Sequence, residues 1–399
     1  MGERADVVVV GAGAAGLMCA ATAGARGRRV VLIDHADEVG KKILISGGGR
    51  CNFTNLDAAP DRFLSQNPHF ARSALDRYTQ RDFLDLVERH GIAWHEKTLG
   101  QLFCDGSARQ IVAMLLAECA AAGVSVRVGR RVTEIAGGER FRIETTACGL
   151  EAESLVIATG GPSIPKMGAT GFAYDVARRF GLAVTETRPA LVPLRLDGAL
   201  LELCRSLAGV SAEVVATCGG GRFREALLFT HRGLSGPAVL QISSYWREGE
   251  VVAVDLAPAT DLAAFLVARK AERPKAEPKA VLGELLPARL AEAAAAGALA
   301  GDPDAALAGP IGAIPDRRLA AFAAGLKAWT VRPGGSEGYA KAEVTLGGVD
   351  TAGLSQRTLA ARAVPGLHFI GEAVDVTGWL GGYNFQWAWS SGRAAGEVV

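Results

Sequence analysis

The sequence predicts an α/β protein whose parallel-sheet domain is interrupted by a β-barrel-like module and a small helical module. Residues 5–10 and 29–34 are β-branched runs joined through an Ala-rich helical stretch, which is typical of a parallel sheet covered on both faces. From residue 189 to residue 256, strand-like runs are interrupted by glycine, which indicates antiparallel sheet. Residues 281–329 are rich in Ala and Leu with Gly-Asp-Pro breaks, which indicates short helices.

Periodicity predicts the remaining elements in order. They are helices between residues 72 and 122, a strand at 124–128, a hairpin over 141–157 that turns at Cys148-Gly149, a solvated, proline-broken connection at 269–279, strands at 342–346 and 366–371, and a last helix from about Tyr383. The resulting domain prediction is 1–188 and 346–399 for the two parts of the parallel-sheet domain, 189–260 for the inserted β-rich module, 261–330 for the helical module and 331–345 for a return strand of the β-rich module.

Composition and charge narrow the function classes. The 399 residues include 43 Lys and Arg against 42 Asp and Glu, and the formal charge of +1 gives no basic footprint for nucleic acid or anionic membrane. Seven scattered cysteines form no C-x-x-C pair and six histidines form no H-x-x-x-H pair, which favours neither disulfides nor a metal site. The uncharged run 7–25 is glycine-rich, unlike a membrane span or signal peptide. We therefore expect a cytoplasmic protein with free thiols, no metal, no nucleic-acid partner and no membrane partner.

A glycine-rich turn carries the strongest chemical signal. A Gly-x-Gly-x-x-Gly motif follows the first valine strand and opens a helix, and an acidic residue ends the next strand. In this pattern the second glycine lets backbone approach a pyrophosphate at the helix N-terminus, and the acid binds a ribose. The predicted dinucleotide-site residues are Gly11, Gly13, Ala14, Ala15, Gly16, Asp34 and His35. An ordinary strand–helix turn is the alternative.

A second glycine loop follows. Three consecutive glycines precede Arg, Cys and Asn, so the loop offers backbone that can lie against a flat ligand with donors on either side. The predicted contacts are Lys42, Ser46, Gly47, Gly48, Gly49, Arg50, Cys51 and Asn52. The alternative is a flexible loop with incidental polar residues. Cys51 lacks a resolving partner, which favours a buried thiol over redox chemistry.

Two later segments complete the predicted site. A buried strand runs into residues 158–160, Ala-Thr-Gly, an element that returns the chain past the cofactor in two-dinucleotide-binding flavoproteins. No second Gly-x-Gly-x-x-Gly follows a strand, so no dedicated NAD(P)H domain is visible. Near the C-terminus a strand ends at Gly371-Glu372 and a helix begins near Gly382, where free N–H groups would face a ligand. Trp387 and Trp389 are expected to pack in the core.

Four longer strings extend these motifs over nearly the whole chain: residues 42–52, 229–237, 343–349 and 381–392. They resemble the signatures of a bacterial flavoprotein family, the NAD(P)/FAD-dependent or aminoacetone-oxidase-like oxidoreductases, which also includes relatives assigned to bile-acid enone reduction. The resemblance implies a glutathione-reductase-type FAD-binding Rossmann domain, interrupted by the two modules. It also implies FAD contacts from the residues above and from Val132, Ala158, Thr159, Gly160, Gly371, Glu372, Gly382, Asn384, Phe385 and Gln386.

Two hypotheses of different classes stay open from the sequence. The main one is an FAD-dependent oxidoreductase that transfers a hydride between flavin N5 and a small organic substrate, either as an oxidase or with NAD(P)H as transient electron donor. Its candidate catalytic residues are His231 as acid or base, Arg50 as holder of an anion, and Tyr383. A structural role is the alternative for His231, and an FAD phosphate contact is the alternative for Arg50. The second hypothesis is an FAD-holding protein that acts on or senses a macromolecular partner, as an RNA-modifying enzyme or a redox sensor does. The sequence sets no oligomeric state.

Overall fold

The computed structural model describes residues 2–300 and 303–399, which fall into two units. The first unit comprises the chain up to Arg188 together with Val344–Val399, and the second comprises Pro189–Glu343. The finer division of the second unit, and the assignment of a cofactor to the first, remain predictions of the sequence.

The strands and helices have the following bounds. The strands are β1 (Glu3–Val10), β2 (Val30–Ile33), β3 (Asn52–Asn55), β4 (Phe63–Leu64), β5 (Trp94–Glu96), β6 (Gln101–Cys104), β7 (Ser125–Arg127), β8 (Val132–Ala136), β9 (Phe141–Thr145), β10 (Gly149–Ile157), β11 (Arg188–Ala190), β12 (Leu194–Arg195), β13 (Ser211–Cys218), β14 (Gly221–Thr230), β15 (Gly233–Ser235), β16 (Val252–Asp255), β17 (Trp329–Val331), β18 (Gly335–Ser336), β19 (Val344–Leu346), β20 (Leu367–Phe369) and β21 (Thr377–Gly378). The helices are α1 (Ala14–Ala25), α2 (Lys41–Ile45), α3 (Arg72–Arg77), α4 (Gln80–Arg89), α5 (Ala108–Ala121), α6 (Phe172–Arg179), α7 (Gly198–Ser206), α8 (Pro237–Ser243), α9 (Leu262–Glu272), α10 (Pro278–Leu282), α11 (Ala288–Ala295), α12 (Asp316–Lys327) and α13 (Tyr383–Gly396).

The first unit is built on a seven-stranded sheet. Strands β7, β2, β1 and β10 are parallel neighbours, and the far edge of β10 is shared by β9, which is antiparallel, and β20, which is parallel. The valines of β1 are buried, as their continuous apolar run predicts. The predicted β-α-β start and the hairpin of β9 and β10 are therefore confirmed.

Helices α1 and α13 pack backbone to backbone in the first unit. A Cβ atom on Gly392 would lie 2.5 Å from the carbonyl oxygen of Ala15, so only glycine allows this approach. The tryptophans of α13 are buried, as expected. The indole of Trp387 donates to the Gly371 carbonyl at 2.9 Å, and that of Trp389 donates to the Phe53 carbonyl at 2.8 Å.

The second unit contains a seven-stranded antiparallel sheet in the order β17-β16-β13-β14-β15-β12-β18. The predicted glycine turn joins β13 to β14, with Cys218 opposite Gly221. Two predictions differ from the structure here. Helices α7 and α8 interrupt the stretch expected to be strand, and α9 covers the start of the stretch 269–279 expected to be a connection. None of the described helices combines the length and apolar character that crossing a lipid bilayer requires.

A small sheet in the first unit was not predicted. The stretch expected to be helical between residues 72 and 122 contains β5 and β6, which pair with β3 as a three-stranded antiparallel sheet. These strands have three or four residues each, too short for an alternating pattern to stand out from the flanking helices. The sheet carries the second glycine loop, so it belongs to the architecture of the site.

The buried imidazole of His368 makes stability depend on pH. Its Nδ1 lies 3.0 Å from the Thr358 carbonyl, and burial holds the pKa of His368 below its ordinary value, against the opposing effect of that hydrogen bond. As pH falls below about 6.5, the imidazole of His368 is therefore protonated in the unfolded chain while it stays neutral in the native protein. We expect the contribution of His368 to the free energy of unfolding to fall between about pH 7.5 and about pH 5.5, whereas the raised pKa values of the buried carboxyls Glu225, Glu343 and Asp375 act in the opposite direction. The His368→Asn variant should therefore gain stability relative to the wild type as pH falls across this range. Denaturant unfolding at the two pH values measures both.

The matched control for this prediction is His69→Asn, at an exposed position. It should leave the pH dependence of the wild type intact. An equally steep pH dependence in the His368→Asn variant would show that another group is responsible.

Candidate functional site

Two of the three motif glycines are required by the packing of the protein itself. Gly11 has φ +109°, and a Cβ atom there would lie 2.5 Å from the Ala158 carbonyl oxygen. A Cβ atom on Gly16 would lie 1.8 Å from the Gly11 carbonyl oxygen. These contacts press the start of α1 against the end of β10, so the turn has one shape.

Gly13 is different, because nothing in the protein requires a glycine there. Its φ of −86° and ψ of −167° suit any residue, and a Cβ atom would meet no protein atom within 4 Å. The same residue caps the 12-residue helix α1 without a side-chain hydrogen bond to the first free N–H groups. A phosphate lying against this backbone would explain the glycine, since the helix N-terminus attracts anions. This position therefore fits the pyrophosphate of a dinucleotide.

Asp34 lies beside this turn, at the end of β2. Its two carboxylate oxygens accept hydrogen bonds from the backbone N–H groups of Ala12, at 2.7 Å, and Ala36, at 2.8 Å. His35 lies next to it, with Nδ1 3.5 Å from the Asp34 carboxylate. The carboxylate thus fixes the glycine turn, a role that the sequence analysis did not assign. Its contact with a ribose stays a prediction, as does the adenine contact of Val132 at the start of β8.

A polar cluster joins three segments that are distant in sequence. The Lys42 ammonium donates to Glu372 Oε2 and to Ser163 Oγ, both at 2.6 Å, and the Ser163 hydroxyl donates to Glu372 Oε1 at 2.8 Å. The backbone N–H of Thr345 donates to the same oxygen at 3.0 Å. The structure therefore brings two predicted residues, Lys42 and Glu372, into an ion pair. Sequence reasoning missed Ser163, which no local pattern marks, and it assigned no role to Thr345, although this residue lies in the string 343–349.

Two buried hydroxyl groups beside this cluster have no hydrogen-bond partner among the described residues. They are Thr159 Oγ1, which follows β10, and Thr345 Oγ1 in β19. A Cβ atom on Gly160 would lie 3.7 Å from Glu372 Oε2, so the Ala-Thr-Gly element adjoins the ion pair. An unsatisfied buried hydroxyl costs about 1–3 kcal/mol, which a ligand with polar groups would recover. The cluster therefore fits the polyol and phosphate portion of FAD.

The three glycines of the second glycine loop all have left-handed backbone dihedral angles. Gly47, Gly48 and Gly49 have φ of 57°, 66° and 85°. Cys51, at φ 50°, is fully buried, as expected from the sequence, and burial raises the pKa of its thiol, which disfavours the thiolate. The side chain of Arg50 is exposed, and no ion pair involving it occurs in the described chain. The loop thus exposes backbone that no side chain covers, together with the guanidinium of Arg50.

The start of α13 is held by side chains that were expected to contact the cofactor. Asn384 accepts from the Gly378 N–H at 2.8 Å and donates to the Gly378 and Trp379 carbonyls at 2.9 and 3.2 Å. Gln386 is buried, accepts from the Thr54 hydroxyl at 2.6 Å, and donates to the Tyr78 carbonyl and to Ser390. These amides are used inside the protein, so they shape the turn before α13.

The same turn lies against β3. A Cβ atom on Gly382 would lie 2.3 Å from the Thr54 carbonyl oxygen, and Asn55 donates to the Gly381 carbonyl at 2.8 Å. The side-chain amide of Asn52 contacts that of Gln101 at 2.9 Å. The ring of Phe385 stacks on Trp389. Backbone, more than side chains, is therefore what this end of α13 offers to a ligand.

The three candidate catalytic residues lie in different surroundings. Arg50 is exposed beside the glycine loop, whereas the ring of Tyr383 is buried against Phe63 and Trp379. His231 lies exposed in the turn between β14 and β15, in the second unit. Their catalytic roles stay predictions. In the described chain, no group of three or more His, Cys, Asp or Glu side chains is placed to hold a metal ion.

Comparison with known proteins places the whole chain in one family. The model of the HI0933-like protein Rossmann domain matches residues 5–398. Ribosomal RNA dihydrouridine synthases of Escherichia coli (strain K12) and Haemophilus influenzae are 54% and 44% identical to the chain, each over 99% of this chain and 98% of its own length. The 3-dehydro-bile acid delta(4,6)-reductase of Clostridium scindens is 28% identical over 98% of both chains.

A solved structure supports the same fold. The 3-ketosteroid-delta4-(5alpha)-dehydrogenase of Rhodococcus jostii RHA1 matches with a TM-score of 0.53, covering 99% of this chain and 96% of that one at 15% identity. The expected α/β fold with an FAD-binding Rossmann domain is confirmed, and so is the expectation of a flavin-dependent oxidoreductase.

Two expectations from the sequence are contradicted. The expected small organic substrate and the expected lack of a nucleic-acid partner are both wrong, because the two full-length relatives act on ribosomal RNA by their names. These relatives support the RNA-modifying alternative. The expectation of no nucleic-acid partner rested on the net charge of the chain. Net charge does not distinguish cations that form ion pairs from cations that form none, such as Arg50 in the described chain.

Replacing Gly13 by alanine should separate cofactor binding from folding. We expect the free energy of unfolding of the apoprotein to change by less than about 1 kcal/mol, because the added methyl group meets no protein atom. FAD affinity should fall at least about tenfold, since the methyl group lies where a pyrophosphate would approach the backbone. Denaturant unfolding of the apoprotein and a flavin-fluorescence titration measure the two effects.

Gly16→Ala is the contrasting variant. Its methyl group would overlap the Gly11 carbonyl, so the apoprotein itself should lose about 1–3 kcal/mol or more. Wild-type FAD affinity in the Gly13→Ala variant would place the pyrophosphate elsewhere.

Proposed function

The chain belongs to the HI0933-like family of FAD-binding oxidoreductases, and from this premise we propose that it reduces uridine in ribosomal RNA to dihydrouridine. The observation that carries the proposal is the sequence identity of 54% and 44%, over 99% of this chain, with two ribosomal RNA dihydrouridine synthases. Each of them aligns over nearly its entire length, so both units of this chain have counterparts in them. The proposal also places the protein in a bacterial cytoplasm.

The chemistry implied by the relatives' names is consistent. Dihydrouridine differs from uridine by two hydrogens across C5=C6, a double bond conjugated to the C4 carbonyl. The bile-acid relative is named for double bonds conjugated to a 3-keto group. Reduction of uridine adds a hydride to C6, which is β to the C4 carbonyl, and a proton to C5; the bile-acid double bonds are likewise activated by conjugation with a carbonyl. We therefore propose a reductase, not an oxidase.

When bound, FAD would supply the hydride, and a reduced nicotinamide, NADH or NADPH, would be the source of its two electrons. In the balanced reaction the nicotinamide is oxidised, C6 of uridine gains the hydride and C5 gains a proton from solvent or an acidic group. No second nucleotide-binding motif is present in the sequence, so the nicotinamide would bind transiently.

The residues that would hold FAD are those the structure gathers around α1. Gly13 and the N–H groups of α1 would bind the pyrophosphate, and Asp34 would bind the adenosine ribose. The ion pair of Lys42 and Glu372, with the Thr159 hydroxyl, would bind the polyol. The free N–H groups at the start of the 14-residue helix α13 would stabilise negative charge on the reduced ring.

The geometry of hydride addition constrains the RNA. A hydride reaches C6 perpendicular to the uracil plane, and in a stacked helix that face is covered by the neighbouring base. The target base must therefore leave the stack before it reacts. Single-stranded or distorted RNA meets this requirement at the lowest cost in free energy. We expect the enzyme to favour a uridine that is unpaired, or readily unpaired, in its substrate.

Complementation tests the proposal directly. The chain is expressed in an Escherichia coli strain that lacks its own ribosomal RNA dihydrouridine synthase, and dihydrouridine is located by mass spectrometry of ribonuclease fragments of purified ribosomal RNA. We expect dihydrouridine to reappear at the position where the host enzyme forms it, because the two proteins are alike over their full length. Gly13→Ala should restore much less, since it weakens FAD binding.

The purified holoprotein supplies the second arm. Reduced anaerobically by NADH or NADPH, it should regain the absorbance of oxidised flavin when ribosomal RNA transcribed in vitro is added. Stable expression with no dihydrouridine in cells and no reoxidation by RNA in vitro would reject the proposal.

A further inference from the structure

One face of the first unit borders the second glycine loop and combines exposed apolar side chains with cations. We name it the loop face; its residues are Ile45, Gly47, Gly48, Arg50, Lys97 and Leu99. The ring of Phe103 lies behind it. A Cβ atom on Gly47 would lie 2.8 Å from that ring, and the Lys97 ammonium lies 5.4 Å from its centroid. The short sheet of β3, β6 and β5 thus holds the loop and the Lys97–Leu99 turn side by side.

The apolar side chains of this face are unusually exposed. Leu99 is 56% exposed and Ile45 is 51% exposed, the two highest values among the large hydrophobic residues of the described chain. Single exposed apolar residues are ordinary on protein surfaces, but two beside one candidate site indicate a surface that contacts something.

The backbone at Leu99 adds an independent observation. Its φ is +51°, in the left-handed region that residues with a Cβ atom avoid. The Asn55 side chain donates to the Leu99 carbonyl at 3.0 Å and holds this conformation in place. Glycine would occupy the position without strain. The protein therefore has an outward-facing leucine at a position where glycine would relieve the backbone strain.

The charges of the face are positive and unpaired. Neither Arg50 nor Lys97 has an ion-pair partner in the chain as described. Two neighbouring carboxylates are engaged with other groups: Glu96 accepts from the Gly100 N–H at 3.1 Å, and Asp105 binds His95 Nδ1 at 2.6 Å. A third, Asp57, lies beside Gly100, where a Cβ atom would be 3.2 Å from its Oδ2, and forms no ion pair with either cation among the described residues. An RNA strand offers the complement of this face, with phosphates for the cations and flat bases for the apolar side chains.

We propose that the loop face binds an unpaired segment of the substrate RNA that flanks the target uridine. Lys97 contacts a phosphate, and Leu99 and Ile45 pack against nucleobases. The inference rests on the proposed function, since it takes ribosomal RNA as the ligand, and it adds the surface by which the RNA is held. It also gives the strained leucine a role, because an apolar side chain fixed in position loses little conformational freedom on binding.

The test uses Leu99→Gly and Lys97→Gln in the holoprotein, neither of which alters a residue expected to bind FAD. The probes are in vitro transcripts of the small- and large-subunit ribosomal RNA, with Kd measured by filter binding. Each variant should raise Kd at least about fivefold, and Lys97→Gln should lower the slope of log Kd against log salt by about 0.7, the value for one phosphate contact on a single strand. Leu99→Gly should melt no lower than the wild type, because glycine relieves the left-handed strain.

Flavin content and the rate of flavin reduction by NAD(P)H should stay at wild-type values in both variants. The matched controls are Val398→Ser, at a residue 46% exposed, and Lys275→Gln, at an exposed lysine of the second unit. Both controls should bind RNA within about twofold of the wild type. Wild-type affinity in both loop-face variants, or equal losses in the controls, would overturn the inference.

The outcome for the wild type keeps this inference distinct from the proposed function. If the wild type forms dihydrouridine while the loop-face variants bind RNA normally, only the loop face is rejected. If the wild type forms none but binds RNA through Leu99 and Lys97, the proposed function fails and the surface stands. If the wild type neither binds nor modifies the RNA, both are rejected.

Discussion

The close approach of backbone segments around the first turn of α1 is the constraint on which the site depends. Gly16 lies against the Gly11 carbonyl, Gly392 of α13 lies against the Ala15 carbonyl, and a Cβ atom on Gly371 would lie 2.9 Å from the Ala15 Cβ. A side chain at any of these glycines would separate the segments that meet there. Because they meet, chain ends more than 300 residues apart form one site. The abundance of glycine in this chain follows in part from that requirement.

The ion pair between Lys42 and Glu372 extends the same arrangement to the side chains. It ties the short helix α2 to the turn after β20, and Ser163 and the Thr345 backbone complete its hydrogen bonds. A partly buried carboxylate and ammonium would each be costly alone, so the pair and its hydrogen bonds stabilise one another. The pair also positions polar atoms beside the Thr159 hydroxyl, where a polyol would lie.

The sequence predicted those parts of the site that depend on local pattern. The β1 strand, the Gly11–Gly16 turn and Asp34 form a contiguous unit with fixed spacing, so fold and cofactor class followed from it. Ser163 and the pairing of Lys42 with Glu372 depend on contacts across most of the chain, and no periodicity reports such contacts. The motif position of Asn384 and Gln386 predicted cofactor contacts, and the structure adds that their amides form hydrogen bonds within the turn and core around α13. A contact of these two residues with FAD stays a prediction.

The RNA substrate proposed for this protein was missed for a reason that bears on how an enzyme with that function would select its substrate. Many of its cations form ion pairs with carboxylates, as in the pairs Arg127–Glu3, Arg28–Glu153 and Arg224–Glu213. Net charge therefore reports little about the surface that binds, and a face with few unpaired cations gives only a weak, salt-screened attraction to RNA in general. Under the proposed function, selectivity would come mainly from contacts with unstacked bases and from the requirement that the target uridine leave its stack. Such an enzyme would ignore most RNA and act where the structure of the RNA presents the base.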